Sequence, residues 1–147
     1  MGLFQSFNIS ASGMTAERFR TDVIAQNIAN VTTTRTADGT PYRRKVVTFA
    51  EKRLTPFDEF LNRQYYRYKG DGVKVTSVQD DTTSDYIMEY DPSHPDADEN
   101  GYVSYPNVNI VTEMTNLIDA SRGYEANATA FEASKAIANA GIQIGKS

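Results

Sequence analysis

The chain has 147 residues, 39% of them hydrophobic, no cysteine, and a formal net charge of −4 at pH 7. That length holds one domain with room for a small second lobe, and the missing cysteines exclude disulfides, zinc ribbons and thiol catalysis. A mean hydropathy of −0.52 is low for a compact enzyme, and no run of about 18 apolar residues offers a membrane span.

Proline sets the predicted elements. All five prolines (Pro41, Pro56, Pro92, Pro95 and Pro106) lie in the middle, which leaves both ends free to be helical. The first residues carry no basic stretch, apolar core and small-residue site in series, so no cleaved secretory signal is expected. Residues 7–32 read as a helix with Phe7, Ala11, Met14, Ile24, Ile28 and Val31 near one face. A threonine-rich stretch, then Asp38-Gly39 and Pro41, ends it in a loop.

Residues 42–49, 73–78 and 86–90 read as strands from their β-branched and aromatic content, and residues 102–105 as a further one. Phe57, Phe60 and Leu61 fit a short helix or a loop. After Pro106, Asn107 or Asn109 caps a second helix over residues 110–144, with Glu113 in its first turn and Gly145 as its stop. In this helix Ile110, Met114, Leu117, Ser121, Tyr124, Ala128, Phe131, Lys135, Ala138 and Ile142 alternate steps of four and three. That is an a/d seam over more than four heptads. The expected fold is α+β. Long N- and C-terminal helices pair as a coiled coil through 1–40 and 107–147, and 41–106 forms a small β-rich middle lobe.

Charge is partitioned. Residues 43–74 hold nine Lys or Arg against four acidic residues, while 75–121 hold ten acidic residues and no Lys or Arg. Cross-strand pairing within one sheet accounts for this, and head-to-tail pairing between copies is the sharper alternative. The acidic block argues against nucleic acid.

Signals for chemistry are thin. His94, the single histidine, sits between Pro92 and Pro95 without a G-x-S-x-G elbow, so it reads as a loop hydrogen-bonder. No phosphate-cradling glycine motif occurs. Neither an enzyme nor a cofactor is expected. Asp96-Ala97-Asp98-Glu99-Asn100-Gly101 matches the first half of an EF-hand loop, but Asn107 stands where the bidentate glutamate belongs. An acidic Asx-turn is the preferred reading. The competing function is a small calcium- or carbohydrate-binding β module with helical appendages. It rests on this loop and on nine tyrosines, eight of them in residues 42–105.

Several segments carry a resemblance. Gln26-Asn27-Ile28-Ala29-Asn30-Val31-Thr32 resembles the N-I-A-N-x-x-T helix end of the flagellar rod and hook axial proteins. Residues 38–45, 91–103 and 106–109 are similar to those of one rod protein of that family. Ser121-Arg122-Gly123-Tyr124-Glu125-Ala126-Asn127 matches its S-R-x-Y-E-A-N in the C-terminal helix. The resemblance implies that Asn27, Ala29, Asn30, Thr32, Ser121, Arg122, Tyr124, Glu125 and Asn127 are motif residues. It also implies a structural subunit of the proximal rod of the flagellar basal body, which crosses the cell envelope.

The implied partners are further copies and other rod proteins, FlgB and FlgF among them, with FliE nearby. The implied route is the flagellar type III export apparatus, without signal cleavage. Subunit contacts are then expected along Phe7, Met14, Ile28, Ile110, Met114, Leu117, Tyr124, Phe131 and Ile142. Asn27, Asn30, Asn116 and Asn127 either fix register in that packing or face solvent.

Overall fold

The computed structural model describes residues 3–52 and 70–145. Its elements run α1 (Leu3–Ala29), β1 (Lys45–Glu51), β2 (Val73–Asp80), β3 (Ile87–Tyr90), β4 (Tyr102–Tyr105) and α2 (Ile110–Ile144). The fold is α+β, with the long helices at the two ends as proline placement predicts. Phe57, Phe60 and Leu61 lie outside the described residues.

The helix ends follow local chemistry. α1 stops at Ala29, three residues before the expected end, because Asn30 turns the chain. Its backbone N–H is shared between the Gln26 and Asn27 carbonyls, and its side-chain amide donates to Gln26 O at 2.9 Å. The Thr33 hydroxyl then donates to Asn30 Oδ1. α2 begins where Asn109 caps it, its Oδ1 accepting from Thr112 N–H at 3.1 Å. Gly145 follows in a turn.

The strands form two two-stranded sheets, β1–β2 and β3–β4. β3 and β4 are antiparallel, with Ile87 opposite Tyr105 and Tyr90 opposite Tyr102. Gly101, at φ 81°, makes the tight return before β4. β1 starts at Lys45, later than the expected 42, because the residues before it bond elsewhere. Tyr42 N–H donates to Thr33 O, and Arg44 N–H donates to the Asn107 side chain.

The chain divides into two compact units. One comprises Met1–Phe19, Thr48–Thr76 and Ala120–Ser147; the other comprises Arg20–Val47 and Ser77–Asp119. In the second unit the buried apolar residues are Val23, Ile24, Tyr42, Val103, Pro106 and Val108. Asn27, Asn107 and Glu113 are buried beside them. So short an apolar list leaves much of the definition of this unit to directional bonds.

Candidate functional site

The second unit is built around the Asn27 side chain, 1% exposed. Its Nδ2 donates to Lys45 O and to Glu113 Oε2, both at 2.9 Å. Its Oδ1 accepts from Lys45 N–H and from the Tyr42 hydroxyl, both at 2.9 Å. Both donors and both lone pairs are thus used. The amide grips both backbone groups of Lys45, so one side chain of α1 stands in for a neighbouring strand.

Glu113, fully buried, closes the other side. Its Oε1 accepts from Arg44 Nε at 2.9 Å and Nη2 at 2.8 Å, with Asn116 Nδ2 at 3.3 Å. A buried carboxylate is tolerable only when paired and saturated with donors, as here. Its place in the first turn of α2 adds the favourable end of the helix dipole. Arg44 also lies 3.7 Å from Asp81. Asn107 completes the ring, accepting from Arg44 N–H and donating to Asp81 O and Ser84 O.

Two groups here have displaced pKa values. Burial first, then the charges of Asp80 and Glu113, pushes the Tyr42 phenol up. The Thr83 N–H, then the Ser84 N–H and hydroxyl and the charge of Arg44, holds Asp81 below the usual carboxylate range against partial desolvation.

Among the described residues, part of the charge partition is paired within the chain. Arg44 pairs with Glu113 and Asp81, Lys45 lies 3.5 Å from Asp80, and Lys52 lies 3.8 Å from Asp71. Arg43 stacks on the Tyr86 ring at 4.5 Å. Of these, Lys45–Asp80 joins β1 to β2 as the cross-strand reading expects, whereas Arg44 reaches from the residue before β1 to α2.

The acidic loop adopts the Asx-turn. Asp98 Oδ1 accepts from Asn100 N–H and Tyr102 N–H, both at 2.8 Å. Asp96 is taken by Arg35 at 3.0 Å and by the Thr34 hydroxyl. Asp98 and Asp96 thus bond protein donors, as the Asx-turn reading expects. Among the described residues no group of three His, Asp or Glu is placed to hold a metal ion. His94 Nδ1 accepts from Asp96 N–H at 3.1 Å, the loop role expected of it.

In the first unit the helices meet in opposite directions. The Phe7 and Phe131 ring centroids are 4.9 Å apart. Further along α1 and further back along α2, Gly13 lies against Asn127 and Glu17 against Gly123. The covered residues of α2 are Glu113, Asn116, Leu117, Ala120, Gly123, Asn127, Ala128, Phe131, Ser134 and Ala138. Small and polar side chains dominate that stripe. Of the expected seam, Phe7, Met14, Ile28, Leu117 and Phe131 are half-buried, while Ile110, Met114, Tyr124 and Ile142 are exposed. Val111, Ile118 and Ile137 are exposed too.

The motif residues divide likewise. Asn27 is the buried hub, Asn30 ends α1, and Asn127 is half-buried with its amide on Gly123 O at 2.8 Å. Ala29, Thr32, Ser121, Arg122, Tyr124 and Glu125 are exposed. Sequence reading missed Tyr42 and Lys45 as partners of Asn27 and Arg44 and Asn107 as further members of the network, and took Glu113 only as a helix-end charge. The available signal was the pair of asparagine-bearing segments, at 27 and 107, flanking a run of three basic residues.

Two family models match the chain. That of the flagella basal body rod protein covers residues 7–35, and that of the flagellar basal body rod FlgEFG protein C-terminal covers residues 99–144. The flagellar basal-body rod protein FlgC of Borreliella burgdorferi is 45% identical, with 98% of each chain aligned. The FlgC of Bacillus subtilis is 43% identical over 99% of this chain and 100% of its own. That of Aquifex aeolicus is 39% identical over 93% and 92%.

Proposed function

Because the chain belongs to the FlgC family of flagellar basal-body rod proteins, structural subunits of the rod and not enzymes, we propose that it polymerises through its helices. In this reading α1 and α2 pair as an antiparallel coiled coil lining the inner tube of the proximal rod, and the strands lie outside. The subunit passes through the type III export apparatus without signal cleavage, and the rod crosses the cell envelope. It neighbours further copies of itself, FlgB and FlgF, with FliE close by. Torque passes through many interlocked contacts, with no chemical step.

One observation supports this most. α2 covers its polar and small-residue side and leaves Ile110, Val111, Met114, Ile118, Ile137 and Ile142 in solvent. Each such side chain gains about 1.5–3 kcal/mol on full burial, so the helix favours association. Contacts between unlike faces that do not close on themselves generate a helical tube.

The test is genetic and biochemical. A strain lacking the gene is expected to lose swimming and to regain it with the full chain, which should then copurify with isolated basal bodies. Cross-linking there should capture FlgB, FlgF or FliE. Basal bodies free of the chain in a complemented, motile strain would refute the reading.

A further inference from the structure

The two close approaches in the first unit are reciprocal. A Cβ built on Gly13 of α1 would clash with Asn127 Oδ1 and stand 2.7 Å from its Cγ. A Cβ built on Gly123 of α2 would stand 3.1 Å from Glu17 Cδ. Each helix thus offers one notch and fills one, and the two notches run in opposite order along the pair. Notches of this kind exist only where the side-chain atom beyond Cα is absent.

The two are unequal. Asn127 is tethered along its own helix by its amide bond to Gly123 O at 2.8 Å. It cannot swing aside without losing that bond. Glu17 meets Gly123 with the far end of a longer chain, which has rotamers to spare. The Gly13 notch is the strict one. Glycine also costs a helix interior about 1 kcal/mol relative to alanine, so its presence mid-helix works against local propensity and calls for a packing reason. Sliding one helix by a turn would put a side chain where the notch now receives Asn127.

We propose that Gly13 and Asn127 are a size-matched positioning pair that sets the register of α1 against α2, and so decides which helix faces the subunit presents to its neighbours. This rests on the helix pairing of the proposed function. It adds that the alignment is specified by a glycine notch and not by the apolar seam.

The experiment compares Gly13→Ala, Asn127→Ala and the double variant as the sole copy in cells, reading swimming and the amount of chain in isolated basal bodies. Gly13→Ala raises helix propensity, so its cellular level should match the parent while incorporation falls roughly tenfold or more. Asn127→Ala alone should incorporate, since its amide bonds only its own helix. Gly13→Ala/Asn127→Ala should recover most of the lost incorporation, because removing the tethered amide frees the space the new methyl needs.

Normal incorporation of Gly13→Ala, loss with Asn127→Ala alone, or a double variant no better than Gly13→Ala would each overturn the proposal. A separate readout isolates the underlying pairing. The chain has no cysteine, so Phe7→Cys/Phe131→Cys carries the only thiols. Treated with a short bifunctional maleimide in basal bodies it should cross-link within the subunit several-fold more readily than Phe7→Cys/Lys135→Cys, whose second site lies a turn away. Equal yields would overturn the helix pairing and the proposal with it. A selective cross-link without rescue would overturn the notch alone.

Discussion

Replacing Glu113 by alanine removes the acceptor on which α1, the residues before β1 and α2 converge. Four donors lose this partner: Arg44 Nε, Arg44 Nη2, one Asn27 N–H and one Asn116 N–H. Breaking a buried ion pair from one side costs about 3–5 kcal/mol. Arg44 keeps some water, at 24% side-chain exposure, and stays 3.7 Å from Asp81. The lower end applies, about 3 kcal/mol.

Urea unfolding of the purified chain reads this directly. With a slope of about 1.5 kcal/mol per M, the midpoint should fall by about 2 M. Glu113→Gln keeps the shape and one acceptor, so its loss should be about half as large. Arg44→Met/Glu113→Leu removes both charges together and should recover most of the stability lost in Glu113→Ala. A midpoint within about 0.3 M of the parent for Glu113→Ala would show that the network does not hold this unit together.

Tyr42→Phe should cost about 1 kcal/mol through the bond to Asn27; because the folded phenol titrates above its ordinary value, stability intact below pH 10 should decline as pH rises through the folded pKa, and Tyr42→Phe should remove that decline in an alkaline melting series. Asp81 has the opposite sign: its folded carboxyl titrates below the ordinary value, so its contribution is present above that value and lost as pH falls through the folded pKa, and Asp81→Ala should flatten the acid limb of a melting series. Ile137→Asp, at a side chain 68% exposed, should leave urea stability within about 0.5 kcal/mol yet abolish swimming, whereas Phe131→Asp should also unfold the contact with Phe7.

Element type and order were legible because proline and helical spacing act locally, and α2 appears at the expected residues. The turn chemistry of Asp98 was legible for the same reason. The packing was less so. Apolar periodicity in α2 marks Leu117, Ala128, Phe131 and Ala138, which are covered, along with Ile110, Met114, Tyr124 and Ile142, which are exposed, while the covered side also carries Glu113, Asn116, Ala120, Gly123 and Asn127. In a subunit that leaves many large apolar side chains in solvent, periodicity straddles the covered and uncovered faces. The hub was hidden for another reason. Asn27, Arg44 and Glu113 are far apart in the chain, and a saturated buried amide has no local pattern to betray it. Only the fold brings its three partners, Tyr42, Lys45 and Glu113, to 2.9 Å.

The central claim is that other subunits cover the apolar face that α2 leaves exposed. A chain without cysteine makes single-thiol labelling unambiguous. Ile137→Cys and Ile142→Cys, each as the only thiol, should react with a maleimide at the rate of a free surface thiol in the purified subunit. In intact basal bodies both should react at least about tenfold more slowly, and denaturing the basal bodies should restore full labelling. Equal rates in the purified and the assembled protein, in a strain that still swims, would contradict the account.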